Sequence, residues 1–240
     1  MKIVNFLSIV LVFLVCADAH ATDMVKIKST VAYQSGEWEI LFDGTGLDNW
    51  MGKIDHKPPS SGWKIENGML YMTGDGGDII TRKKYENFEL IFEFNLTKEA
   101  NSGIKYFVDR VINEVTGQEI INGPEYQIID DYNNKVVKDD PNGTKSAGAA
   151  YLLYPPKNKK LNPPGEWNTG KIIAQNGKVE HWLNGVKVVS YERGNKDFYK
   201  RKAETKFKND VNYGELKHGH ILLTDHNDKV FFKNIKIRKL

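Results

Sequence analysis

The chain has 240 residues and a formal net charge of +3, with acidic and basic side chains interspersed along its length. A nucleic-acid-binding protein usually carries a concentrated basic stripe, so we expect no nucleic-acid partner. The local basic run at residues 200–208 is interpreted first as a solvated segment. The single cysteine, Cys16, lies near the start, which leaves the rest of the chain without disulfide or thiol chemistry.

The first 21 residues have the layout of a secretory signal. A lysine precedes an apolar run from Ile3 to Val15, and small residues follow up to Ala21, where cleavage is expected. The apolar run is shorter than the roughly 20 residues that a membrane span needs, so no span is expected. Cys16 leaves a lipoprotein as the less favoured alternative. We therefore expect an exported protein, periplasmic or extracellular.

Alternating apolar and polar residues recur along the remaining chain, whereas helical periodicity is nearly absent. Asn-Gly pairs at 67–68, 176–177 and 184–185 accept positive φ at both central positions of a tight hairpin turn. They predict one hairpin around Asn67 and three consecutive strands between residues 171 and 192. Residues 219–240 are expected to form a further hairpin.

Two segments do not fit the strand pattern. Residues 155–165 form a proline-rich loop that cannot lie inside a sheet. Residues 195–214 are polar and could hold one short helix or a lid. Neither segment looks like an interdomain linker, so residues 22–240 are predicted to form a single all-β domain. The expected fold is a two-sheet antiparallel sandwich of the jelly-roll kind with a concave groove.

The stretch GPEYQIIDD, residues 123–131, places polar side chains inside a predicted strand. A period of two puts Tyr126 and Ile128 on the core side and leaves Glu125 and Gln127 on the open face. Asp130 lies five residues after Glu125, so it would join that face only if the strand contained a bulge. The alternative is a solvated outer face with a strand end at Asp130.

Further candidate site residues lie in three other segments. His181 in VEHWLNG could be a general acid or base, because imidazole titrates near neutral pH, or a histidine half-buried beside its neighbours. Trp182 is expected in the core rather than as a platform for a sugar ring. Asn101 and Lys105 could face the same groove as Glu125, and His226 has either a site role or a turn role.

No nucleotide-binding loop, nucleophile elbow or zinc-protease motif is present. The chemistry that remains is acid–base work by carboxylates and imidazole. A divalent metal ion held by Glu125, Asp130 or His181 is a further expectation, but the sequence does not decide whether a metal is bound.

Six segments in order resemble the 3-keto-disaccharide hydrolase domain family: GEWEILFDGTGLDNW, ANSGIKYFV, GPEYQIIDD, GEWN, VEHWLNGVKVVSYE and the last 22-residue segment, GHILLTDHNDKVFFKNIKIRKL. The resemblance runs from about Gly36 to Leu240. It implies a concanavalin-like jelly roll and the cleavage of di- or oligosaccharides already oxidised at C3.

The resemblance also implies a mechanism. A ketone at C3 acidifies the C2 proton, a base removes it, the enolate expels the group on C1, and water then adds across the double bond. Glu125 and His181 would be the acid/base pair. The residues expected to bind substrate hydroxyls, to stabilise the enolate or to orient the catalytic pair are Asn101, Lys105, Gln127, Asp130 and His226.

Two other functions stay open. The spacing Glu-x-Gln-x-x-Asp is similar to the Glu-x-Asp-x-x-Glu strand of laminarinase-type retaining glycosidases, whose two outer carboxylates lie about 5 Å apart. The amide at Gln127 and the shorter Asp130 count against that mechanism. The third possibility is a non-catalytic carbohydrate-binding module that uses the same groove.

Overall fold

The alternating segments form two antiparallel sheets. The computed structural model describes residues 36–59, 61–114 and 116–240, and the predicted signal, its cleavage site and the lipid-anchor alternative at Cys16 lie outside these residues. The strands are β1 (Glu39–Phe42), β2 (Trp50–Gly52), β3 (Trp63–Glu66), β4 (Met69–Met72), β5 (Ile79–Thr81), β6 (Phe88–Leu96), β7 (Asn101–Ile112), β8 (Glu119–Asn122), β9 (Glu125–Ile129), β10 (Trp167–Gln175), β11 (Lys178–Leu183), β12 (Val186–Glu192), β13 (His220–Leu223) and β14 (Val230–Lys239). The helices are α1 (Lys135–Lys138) and α2 (Lys196–Ala203).

The strands divide between an eight-stranded and a six-stranded sheet. The eight-stranded sheet runs β12-β11-β10-β6-β14-β4-β3, with β1 also paired to β14. The six-stranded sheet runs β2-β5-β13-β7-β8, and β9 pairs with the first half of β7. The predicted all-β, two-sheet antiparallel architecture is confirmed.

The core lies between the sheets and follows the predicted alternation. Leu90, Phe92 and Phe94 of β6 are fully buried and face the inner side of the six-stranded sheet. The ring of Phe92 meets that of Tyr126 edge-on, with ring centres 5.3 Å apart. Burial of each such aromatic side chain contributes about 1.5–3 kcal/mol to the stability of the fold. This layer therefore supplies much of the free energy that holds the two sheets together.

The predicted tight turns are confirmed. Asn67 and Gly68 have φ of 52° and 73°, which is the left-handed pair that a two-residue hairpin turn requires. The Asn-Gly pairs between β10 and β11 and between β11 and β12 have the same signs.

The predicted hairpin within residues 219–240 is wrong. β13 pairs with β5 and β7, whereas β14 pairs with β6, β4 and β1, so the connection crosses from one sheet to the other. Asp225 holds this crossover by accepting hydrogen bonds from the backbone N–H groups of Gly76 and Gly77, at 2.9 and 2.8 Å. Local alternation is the same for a hairpin and for a crossover, which is why the pattern does not separate them.

The two irregular segments behave as their composition suggests. Residues 155–165 contain no strand, and residues 195–214 contain α2, whose start is capped by the side chain of Asn195. None of the helices formed by the described residues has the length and apolar character needed to cross a membrane.

Candidate functional site

Glu125 and Gln127 lie on β9, which pairs with the first half of β7 at the margin of the six-stranded sheet. The pairing is regular: Lys105 is opposite Glu125, Gly103 is opposite Gln127 and Asn101 is opposite Ile129. These six positions share the face that points away from the core. The predicted division of β9 is confirmed, because Tyr126 and Ile128 belong to the core cluster on the other face.

The predicted bulge in β9 is wrong, since the register with β7 does not shift between Glu125 and Ile129. Asp130 follows the end of the strand. Its Oδ2 accepts hydrogen bonds from the Glu99 N–H and the Asn133 side chain, and its Oδ1 accepts from the Tyr132 N–H. Asp130 is therefore occupied in fixing the turn after β9, and the structure does not bring it to the open face of Glu125.

The Glu125 carboxylate is buried although it lies on the outer face, with the residue 5% exposed. Its Oε2 is 4.0 Å from the Lys105 Nζ, and its Oε1 has no hydrogen-bond partner among the residues that the structure describes. Burial raises the pKa of the Glu125 carboxyl, while the positive charges of Lys105 and Lys206 oppose the increase. A carboxylate with a raised pKa and a free oxygen is suited to accept a proton.

Gly103 makes room for this carboxylate. A Cβ at position 103 would lie 2.0 Å from Oε1 of Glu125 and 2.8 Å from its Cδ. Any side chain larger than hydrogen would therefore displace the carboxylate. Glycine is therefore needed at position 103 for a steric reason, which the pattern of the segment ANSGIKYFV does not reveal.

Thr224 follows β13 and pairs with Gly103 on the side opposite to β9. Its N–H donates to the Gly103 carbonyl oxygen at 3.0 Å, and its buried hydroxyl has no partner within the described part of the chain. Leu222 packs in the small outer-face cluster and Leu223 in the core, so alternation directs Thr224 outward. Two partnerless buried oxygens, on Glu125 and Thr224, thus flank Gly103.

Gln127 and Asn101 form the next layer of the site. The Gln127 Nε2 donates to the Asn101 Oδ1 at 3.0 Å, and the Asn101 N–H donates to the Asp228 carboxylate at 3.0 Å. The His226 side chain is exposed and lies within electrostatic range of Lys105. Partial desolvation lowers its pKa, and the charge of Lys105 lowers it further, so a neutral imidazole is favoured.

Lys105 is held by a second contact. Its Nζ donates to the Asn122 Oδ1 at 3.2 Å, and the Asn122 amide donates to the Asp210 carboxylate at 2.8 Å. Asp210 belongs to the segment after α2, residues 204–216, which we call the flanking segment. Lys105 is thus fixed between the sheet and this segment.

The flanking segment contributes an exposed lysine from the basic run that is predicted to be solvated. Lys206 lies in the basic run at 200–208, yet its charge acts on Glu125, and its Nζ lies 5.0 Å from the ring centre of Tyr151. Tyr151 follows the loop that pairs with the free side of β9, and its N–H donates to the Glu125 carbonyl oxygen at 3.0 Å. Local composition carries no signal for either contact, because both come from segments distant in sequence.

His181 lies in the core and not beside Glu125. It is 0% exposed and its ring centre is 4.8 Å from that of Tyr126, on the inner face. Its Nε2 is 2.8 Å from the Tyr106 hydroxyl and its Nδ1 is 3.0 Å from the Gly148 carbonyl oxygen. Burial lowers the pKa of His181 to about 4. The expected acid/base pair of Glu125 and His181 is therefore not brought together, and the buried-histidine alternative describes the structure.

Trp182 also differs from expectation, because it lies on the outer face of the eight-stranded sheet and not in the core. Its Nε1 donates to the Glu180 carboxylate at 2.9 Å, and the Lys171 Nζ lies 4.2 Å from its ring centre. This indole is thus engaged by its own neighbours, at a distance from β9.

The three residues named as metal ligands do not converge: Glu125 is on the outer face, His181 is in the core and Asp130 is in the turn after β9. Within residues 36–59, 61–114 and 116–240, no three His, Cys, Asp or Glu side chains are grouped as a metal site.

Solved structures place the fold among known proteins. A protein from Parabacteroides distasonis proposed to be a glycosyl hydrolase has a TM-score of 0.74 and 34% sequence identity, over 85% of this chain and 94% of its own. A second such protein from the same organism has a TM-score of 0.63 and 30% identity, over 85% of this chain and all of its own. The fold and its polar outer face define a jelly-roll protein of the carbohydrate hydrolase and lyase class.

The sequence comparisons then identify the family. A curated relative from Bacteroides thetaiotaomicron, named 3-keto-disaccharide hydrolase, is 32% identical in an alignment of length 225 that covers 83% of this chain and 77% of the relative. Residues 37–238 match the family of 3-keto-alpha-glucoside-1,2-lyase-like domains. The chain belongs to this family.

Proposed function

We propose that this protein cleaves 3-keto-glycosides, with a 3-keto-disaccharide as the substrate class, by elimination followed by hydration. The observation that carries the proposal is the Glu125 carboxylate, which is buried and has a raised pKa. Its Oε2 lies 4.0 Å from the Lys105 Nζ, and its Oε1 has no hydrogen-bond partner among the described residues. The names of the relative and of the family support the same substrate class.

In the proposed reaction, Glu125 removes the C2 proton next to the C3 ketone, and the electron pair of the C–H bond forms an enolate. Lys105 stabilises the negative charge that develops on the ketone oxygen. The enolate then expels the oxygen at C1, the glycosidic bond breaks, and the leaving oxygen takes up the proton held by Glu125 and departs as an alcohol. Water then adds its H to C2 and its OH to C1 across the resulting double bond. Asn101, Gln127 and His226 line this part of the face as substrate-binding residues.

Two predictions from the sequence change within this proposal. His181 is not retained as a catalytic residue, because both of its ring nitrogens are bonded in the core. Asp130 is not retained as a second carboxylate, because its oxygens hold the turn after β9. The retaining-glycosidase alternative needs such a second carboxylate, so it is disfavoured. Export through the predicted signal at residues 1–21 remains part of the proposal.

The deciding experiment is a paired assay of a glucoside and its 3-keto counterpart, each with and without a chelator. We expect release of the leaving group from the keto sugar alone, because only that substrate has an acidic C2 proton. Equal turnover of both sugars would support a retaining glycosidase instead. Binding without turnover of either would support a carbohydrate-binding module, and loss of activity with chelator would reveal a required metal ion.

The space at Gly103 gives a second prediction. Gly103→Ala should reduce kcat for the keto sugar on the order of 100-fold, because a displacement of about 1 Å at a reacting group costs that much. The fold should persist, since the three nearest atoms, at 2.0–2.9 Å, all belong to the Glu125 side chain and not to the backbone, and the glycine is not in the left-handed region. Kinetics and thermal melting of the variant check both parts.

The matched control is Gly46→Ala. A Cβ at position 46 would be 3.6 Å from the Asp48 carboxylate, an ordinary contact. If Gly103→Ala and Gly46→Ala retain the same kcat, the position of the Glu125 carboxylate is not what limits turnover.

A further inference from the structure

A cleft of about 650 Å³ is lined in part by Lys206, whose charge acts on the Glu125 carboxylate. One wall is formed by residues 139–145 and 152–155, and the other by the end of α2 and the start of the flanking segment. Its volume is within the range of roughly 300–1,000 Å³ that is usual for small-molecule sites.

Lys206 and Tyr151 join the cleft to Glu125. Lys206 lines the cleft, its charge acts on the Glu125 carboxylate and its Nζ lies 5.0 Å from the Tyr151 ring. The Tyr151 hydroxyl lies within electrostatic range of Glu125 on one side and of Asp140, which lines the cleft, on the other. Tyr151 and Lys206 thus link the residues that line the cleft to the Glu125 carboxylate, whose Oε1 has no hydrogen-bond partner among the described residues.

The lining suits a neutral polyhydroxyl ligand. The carboxylates of Asp139 and Glu204 and the ammonium of Lys145 are in the wall, and among the described residues their side chains form no ion pair or hydrogen bond. The wall carries both positive and negative side chains, so its charge does not complement a strongly acidic or a strongly basic ligand. Leu152 and Pro155 add apolar surface against which the C–H groups of a sugar ring can pack.

We propose that this cleft is the subsite for the leaving-group sugar of the disaccharide, with Lys206 and Tyr151 at the scissile bond. This assignment rests on the proposed function, because it takes Glu125 as the point at which the oxidised ring reacts. It adds a determinant of specificity: a substrate with a sugar on C1 gains contacts that a methyl glycoside lacks.

The test compares kcat/KM for a 3-keto-disaccharide with kcat/KM for methyl 3-keto-glucoside. Asn142→Trp fills the cleft from its wall, and Glu204→Ala removes a free carboxylate. We expect the disaccharide-to-methyl ratio to fall about tenfold or more with Asn142→Trp and severalfold with Glu204→Ala, mainly through KM. The matched controls, Lys178→Trp and Glu192→Ala, are at exposed positions of the eight-stranded sheet and should keep the wild-type ratio.

An unchanged ratio in both cleft variants would overturn the subsite, even though the wild-type protein converts both keto sugars. Failure of the wild-type protein to convert either keto sugar is a different result, which would refute the proposed function and this assignment with it. If Asn142→Trp does not melt cooperatively, Glu204→Ala decides the question, because the smaller side chain adds no bulk that the fold would have to accommodate.

Discussion

Glu125→Gln should abolish turnover of a 3-keto-glucoside while leaving the free energy of unfolding at pH 7 unchanged or higher. Removal of a general base typically costs 10²- to 10⁴-fold, and we expect a loss on the order of 10³-fold or more. The expected unfolding free energy of the variant follows from the raised pKa of the buried carboxyl in the wild type. Such a group stabilises the fold below its unfolded pKa, and this contribution is lost as the pH rises through the folded pKa.

A carboxyl whose pKa is raised in the fold costs stability at pH 7, and a neutral amide of the same shape removes that cost. Kinetics on the keto sugar and chemical denaturation at pH 7 measure the two effects in one protein. Glu192→Gln, at the exposed end of β12, is the control for loss of one negative charge. A Glu125→Gln protein that is inactive and also clearly less stable would indicate a structural role for the carboxylate.

The same pKa shift predicts the acid limb of the activity profile. Because the base must be deprotonated, kcat/KM should fall below a midpoint that lies above the ordinary carboxyl value. Lys105 opposes this shift, so Lys105→Met should move the midpoint to higher pH in addition to reducing the rate. A midpoint that does not respond to Lys105 would contradict the pairing of these two side chains.

His181 should control acid stability and not catalysis. Its pKa falls from the ordinary 6.5 to about 4 in the fold because the imidazole is buried. A group with a lowered pKa stabilises the protein above its unfolded pKa, and the contribution is lost as the pH falls through the folded pKa. The difference corresponds to about 3 kcal/mol lost between pH 6.5 and 4.

His181→Gln should remove this part of the pH dependence, so the unfolding free energies at pH 7 and pH 4.5 should differ less than in the wild type. The loss at pH 7 should be about 1–3 kcal/mol, because contacts to the Tyr106 hydroxyl and the Gly148 carbonyl are disturbed. Denaturant titrations at both pH values measure this, with His218→Gln, at an exposed histidine, as the control. If folded His181→Gln loses turnover as completely as Glu125→Gln, the histidine has a role in the reaction.

Local patterns predict those features of this fold that depend on neighbouring residues. Alternation places Tyr126 and Ile128 in the core, and the Asn-Gly pairs define the hairpins, since both signals come from the backbone geometry of a few residues. The same alternation also placed Glu125 on the open face. What it does not contain is the depth of burial of Glu125, which depends on segments distant along the chain.

The errors have a common physical origin. The connection between β13 and β14 has the local pattern of a hairpin, and only the distant pairing partners of each strand show that it crosses between sheets. His181 resembles a catalytic residue in isolation, and only its contact with Tyr106 from the opposite sheet identifies it as part of the core. Lys206 is exposed, as the basic run predicts, and only the position of the flanking segment shows that its charge acts on Glu125.

The loop that follows α1 has a consequence for association between molecules. Gln127 donates its N–H to the Ala149 carbonyl oxygen and accepts from the Gly148 N–H, while the Tyr151 N–H bonds to Glu125. β9 therefore has partners on both sides, although it lies at the margin of its sheet. Unpaired strand edges recruit strands of other chains and promote aggregation. The strand that bears Glu125 is thus protected against intermolecular strand addition, even at high local protein concentration.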